Sequence, residues 1–188
     1  MASELTVQTI KGPTSGGNAN KILVPSGQTL TAPGHVIQVV QGTLGSRQSA
    51  ASSSFTNSNL TVAITPKFST SKILVRSTFL FSQSKSSSQN QDNMKSFTIF
   101  RDSTNIAPHN DAFLYHQNEV GGTTSDFQEQ TENAAIEILD SPATTSAITY
   151  SLRYRSDNPT VLTIYLNGRG HGSGHEGSCI ITAMEIAQ

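Results

Sequence analysis

From His35 to the last few residues, apolar and polar side chains alternate with a period of two in short runs separated by polar loops. Successive side chains on a strand point to opposite faces, so this rhythm predicts strands with one buried and one wetter face. Within 72–81, Ile73, Val75, Phe79 and Phe81 share one face, and Leu74, Arg76, Thr78 and Leu80 take the other. Within 147–155, Ile148, Tyr150, Leu152 and Tyr154 oppose Thr149, Ser151, Arg153 and Arg155. Similar runs at 36–40, 60–64, 96–101, 134–139, 161–166 and 180–186 bring the expected strands to eight, and no segment has the 3.6-residue period of a helix. Eight strands suffice for two facing sheets, so the fold class is all-β, an antiparallel β-sandwich of jelly-roll type.

Composition narrows the partners. The 188 residues (20.0 kDa) suit one domain, 34–188, with an appendage, 1–33. Only 35% of the residues are hydrophobic and 13% charged, and Ser and Thr make up about a quarter of the chain. A core this lean with a hydroxyl-rich surface favours burying further area between copies, and a homo-oligomer is expected. A net charge of −1 with no basic run gives nothing to neutralise phosphates, so no nucleic-acid partner is expected. No apolar stretch approaches the roughly 20 residues that span a bilayer, and the N-terminus lacks the charged and apolar regions of a secretion signal. Neither membrane insertion nor secretion is expected, and synthesis is placed in the cytosol. Cys179, the single cysteine, cannot form an intrachain disulfide and reads as a buried thiol at the start of the last strand.

The appendage holds two short apolar pieces, Leu5, Val7 and Ile10 in one and Ile22 and Val24 in the other, separated by Gly- and Pro-rich turns that end at Pro33 and Gly34. Each is too short to fold alone. They are expected to form an extended arm that packs on a larger assembly; the alternative is a strand that extends the domain's own sheet. Two low-complexity stretches, 42–58 and 82–93, read as loops. A third loop, 168–177, carries Arg169, His171, His175 and Glu176 among glycines. Loops of a sandwich gather at its ends, and these are expected to form a distal contact surface.

Catalytic and cofactor signatures are thin. Residues 172–177 match a dinucleotide fingerprint by letter, but a strand follows where the motif requires a helix N-terminus, so no cofactor is expected. His171, His175 and Glu176 are weak candidates for metal ligands, and the plainer alternative is a solvated glycine loop. The carboxylates Asp126, Glu129, Glu132, Glu137 and Asp140 include the types a glycosidase pair would need, but the same residues serve solubility where a loop enters a strand. Phe113, Tyr115 and His116 suit stacking on sugar rings, or a strand with one buried face. No nucleophile elbow is present, and enzymatic activity is not expected.

Several segments resemble a family of tailed-bacteriophage proteins common in aquatic phages, usually called tail-fibre or other virion structural proteins. They are 3–10 (SELTVQTI), 34–41 (GHVIQVVQ), 64–67 (ITPK) with 71–75 (SKILV), 100–104 (FRDST), 139–146 (LDSPATTS) and 181–186 (ITAMEI). The resemblance implies a trimeric β-sandwich on a short N-terminal arm, with Pro66 and Ser71 at a turn, Arg101, Asp102 and Ser103 at one strand end, and Asp140, Ser141 and Pro142 at another. It implies a virion protein with itself and other virion proteins as partners, and loops that meet a host-surface glycan or protein. A capsid decoration, cement or head-fibre protein is the first alternative, and a carbohydrate depolymerase the second. The glycine-rich loop 168–177 lies outside the shared pattern.

Overall fold

A computed structural model describes residues 7–85, 94–108, 111–117, 128–170 and 176–188, and among them the chain is all-β with no helix. In chain order the strands are β1 (Val36–Leu44), β2 (Gln48–Ala50), β3 (Thr56–Ile64), β4 (Lys72–Lys85), β5 (Met94–Arg101), β6 (Thr104–Asn105), β7 (Leu114–Gln117), β8 (Gln128–Asp140), β9 (Ile148–Ser156), β10 (Leu162–Leu166) and β11 (Cys179–Ile186). They form two antiparallel sheets. The first runs β1-β11-β4-β10-β2 with β8 on the free edge of β4, and the second runs β3-β9-β5-β6 with β7 also on β5. The pairs β5 with β7, β4 with β8, β3 with β9, and β1 with β11 nest inside one another along the chain.

The alternating positions meet between the sheets. Ile73, Val75, Phe79 and Phe81 of β4 are buried with Ile148, Tyr150, Leu152 and Tyr154 of β9, as the period of two predicts. Phe97 of β5 joins the layers, its ring lying 5.0 Å from Phe79, 4.8 Å from Phe81 and 6.5 Å from Tyr154. Cys179 is buried at the head of β11.

Two expected loops carry strand. Residues 82–85 continue β4, because β8 and β10 hydrogen-bond both of its edges there and leave no backbone group to solvent. The hydroxyl of Ser82 is buried and donates to the carbonyl of Gly168 (2.8 Å). Residues 42–58 likewise hold the end of β1, all of β2 and the start of β3. Within this stretch Gly42 is required by close approach, since a Cβ there would fall 1.8 Å from the carbonyl oxygen of Thr61 on β3. Ser58 spends its hydroxyl on the carbonyl of Leu152 (2.6 Å) at a β3 bulge.

Before β1 the described residues 7–35 contain no strand, and their backbone hydrogen bonds are local until Gly34 and His35 meet Ala187 (2.8 and 2.9 Å). Val7, Ile10, Ile22 and Val24 are all exposed; Leu5 lies outside the described residues. The segment enters the body where β1 and β4 start and β8 and β11 end. Connections β4–β5, β7–β8 and β9–β10 leave from the opposite end.

Candidate functional site

At the arm end, two carboxylates lie in one inward row, Gln38–Glu185–Ile73–Asp140, across β1, β11, β4 and β8. Glu185 is fully buried and accepts from Gln38 Nε2 (2.6 Å) and from the backbone N–H groups of Lys67 and Phe68 (2.8 and 3.2 Å). Burial pushes its pKa up, but the donors at Gln38, Lys67 and Phe68 outweigh it and hold the carboxyl below its ordinary range. Asp140 takes both Arg101 Nη1 contacts (2.8 and 2.9 Å) and the Tyr150 hydroxyl (2.7 Å), tying β8 of the first sheet to β5 and β9 of the second. Asp102 turns the chain with a positive φ of 52° and accepts from the Thr149 N–H (2.9 Å). These clasps use residues from five of the segments that carry the resemblance, 34–41, 64–67, 100–104, 139–146 and 181–186.

The opposite end holds a buried amine. Lys95 is 1% exposed and shares its inward parity with Phe97 and Ile99; its Nζ lies 3.0 Å from His116 Nδ1 on β7. His116 Nε2 lies 2.6 Å from a carboxylate oxygen of Glu132 on β8. A neutral imidazole protonated at Nε2 satisfies both neighbours, accepting from the ammonium and donating to the carboxylate. Burial pushes Lys95 down to about 8 against the pull of Glu132, and burial with the nearby Lys95 charge lowers His116.

These shifts set the acid response. His116 is harder to protonate folded than unfolded, so stability falls as pH drops below its ordinary 6.5, while the contribution of Glu185 is lost later, below 4.5. Thermal melts between pH 7 and 3 should therefore decline in two stages, and His116→Gln should remove the first only. A single stage that persists in that variant would contradict the assignment.

The outer face of the second sheet is polar and aromatic. Register places Tyr115, Ser96 and Arg155 side by side on β7, β5 and β9. Asp111 bridges the row, accepting from the Tyr115 hydroxyl and from Arg155 Nη2 (2.8 Å). The Asp111 hydrogen bond raises the Tyr115 pKa. Asn105 holds the Asp111 carbonyl (2.7 Å) and is itself paired with Thr98 (2.7 Å). Arg155 lies 4.7 Å over the ring of Phe55 and Arg153 4.0 Å over that of Phe100. Of the three sequence-predicted stacking residues, only Tyr115 is presented outward; Phe113 packs on the core and His116 turns to Lys95.

The outer face of the first sheet is different. Val39, Met184, Leu74 and Leu139 form an apolar row across β1, β11, β4 and β8, with Val39 55% and Leu139 49% exposed. The next row, Gln41–Thr182–Arg76–Glu137, is polar.

The two ends of the glycine-rich loop leave the first sheet away from the ends of the sandwich. β10 and β11 lie in line along one edge of β4, on Phe81–Lys85 and Lys72–Thr78, so the loop between them leaves from mid-sheet. Its described parts cross the outer face, where a Cβ at Gly170 would touch Ser84 and Tyr165 and one at Gly177 would touch Leu80. Arg169 is half-buried, its carbonyl accepting from Arg47 (2.9 Å), and Glu176 is exposed; His171 and His175 lie outside the described residues. Among the described residues no three His, Cys, Asp or Glu side chains are grouped to hold a metal.

The carboxylates of β8 are separated. Glu132 and Asp140 point inward at opposite ends and Glu137 points outward, while Asp126 and the side chain of Glu129 lie outside the described residues. Lys95 and Glu185 each carry a signal in the sequence, a charge standing at the apolar parity of a strand. No protein-family model matches this chain, and no curated protein matches it.

Proposed function

We propose that the chain is a non-enzymatic virion structural protein, a homotrimer with a jelly-roll body whose N-terminal arm docks to a phage particle and whose opposite end faces the host. The observation that carries the reading is the apolar row Val39–Met184–Leu74–Leu139. A contiguous apolar row with exposed ends suits cover by another chain, and a lean core gains most from such cover. The nested pairing of β1 to β11 supports the jelly roll. The number of copies and the virion setting rest on the resemblance. Support for a docking arm comes from exposed apolar side chains on a strand-free segment that joins at one end, with three connections at the other.

Light scattering should find a three-chain species for the full protein and single chains of unchanged circular dichroism for Met184→Glu. Deleting residues 1–33 should keep the trimer and abolish incorporation into particles. A monomeric wild type removes the trimer reading, and incorporation without the arm removes the docking role.

A further inference from the structure

We propose that the outer face of the second sheet, centred on Tyr115, Asp111 and Arg155, binds a neutral pyranose unit of a glycan. This rests on the host-facing reading above and names the chemistry that would be recognised.

The face combines three features that a sugar ring requires. Tyr115 offers an aromatic surface 46% exposed, on which the C–H face of a pyranose can lie. Beside it, Asp111 is an acceptor and Arg155 a donor, held 2.8 Å apart, a spacing that suits two vicinal hydroxyls, each of which both donates and accepts. The groups are fixed in advance. Asn105 anchors the Asp111 backbone, and Phe55 and Phe100 carry the two guanidinium planes on their rings, so little freedom is lost on binding.

Hydrogen-bonding capacity is also left over on this face. Ser96 Oγ, Arg153 Nε and Arg155 Nε are buried with no hydrogen-bond partner among the described residues, and Ser96, fully buried, stands in the same row as Tyr115 and Arg155. Buried polar groups are normally satisfied, so these three orphans set the patch apart; being closed to solvent they are not themselves ligand contacts, which fall to Tyr115, Asp111 and Arg155. Charge decides between sugar classes. Arg155 already faces Asp111 and, at 3.9 Å, Asp157, so an anionic sugar or a phosphate would be repelled by these carboxylates, while a neutral polyol can donate its hydroxyls to them.

The test is saturation-transfer NMR and calorimetry on the full chain with methyl glycosides of glucose, galactose and mannose, alongside glucuronate and inorganic phosphate. At least one neutral glycoside should bind, and Tyr115→Ala and Asp111→Asn should each weaken it about tenfold or more, with circular dichroism and oligomeric state unchanged. The site is refuted if none of the neutral glycosides binds, if only the anions bind, or if binding survives both substitutions. Because both variants leave the apolar row and the arm intact, failure here with trimer and particle incorporation preserved overturns the sugar site alone.

Discussion

Replacing Leu152 by aspartate is expected to leave no folded protein. Leu152 is fully buried at the centre of β9, whose ladder joins β3 and β5 and whose inward side chains meet the aromatic cluster of Phe79, Phe81 and Phe97. The change removes a buried leucine and places a carboxylate among the apolar side chains of the core. The two losses together amount to roughly 5 kcal/mol or more, comparable with the whole stability of an ordinary domain. Ala63→Asp provides the control. Ala63 is exposed on β3, one residue from buried Val62, and the substitution should shift stability by no more than about 0.5 kcal/mol. Urea titrations of both variants read the difference, and a cooperative transition for Leu152→Asp like that of the wild type would mean that the faces of β9 are reversed.

That contrast shows where the fold is legible in the amino-acid pattern. Alternation assigns Ile73 and Leu152 inward and Arg76 outward because parity needs only neighbouring residues. It fails at Ser82, Gln83 and Ser84, whose burial is caused by β8, by β10 and by the crossing of Gly168 and Gly170, partners more than 40 positions away. Low complexity there reads as loop because serine carries no apolar signal, although its hydroxyl is readily satisfied inside a sheet. The departure point of the glycine loop is hidden from the pattern for a related reason. Alternation assigns faces but no neighbours, and the departure from mid-sheet follows only from β10 and β11 sharing one edge of β4.

Of the candidate sites, Tyr115 was legible as an aromatic among polar residues, but its partners Asp111 and Arg155 come from a loop and from β9. Arg101, Asp102 and Asp140, which the resemblance marks as strand ends, lie around Tyr150 and Thr149. The clasps at the two ends then divide the labour. Carboxylates with many donors tighten the end where the arm enters, and a buried ammonium sits at the end that carries the loops. The second arrangement is the less stable one, because among the described residues the ammonium has the imidazole at 3.0 Å and the more distant Glu132 to replace its water.

Lys95→Met is therefore expected to stabilise the protein by about 2 kcal/mol at pH 7. Methionine takes the same inward position of β5 without a charge to desolvate, and the loss is one donor to His116 Nδ1. The pH dependence separates this cause from better packing. Burial pushes Lys95 from 10.5 to about 8, so between those values the unfolded chain holds a proton that the folded one has released. Wild-type stability should climb through that window by roughly 3 kcal/mol, and the variant should lack the climb. The two curves, measured by urea unfolding at pH 7 and pH 10, should converge as the alkaline side is approached. A constant gap would assign the gain to methionine packing, and a variant weaker at both values would make Lys95 a net stabilising tie between β5, β7 and β8.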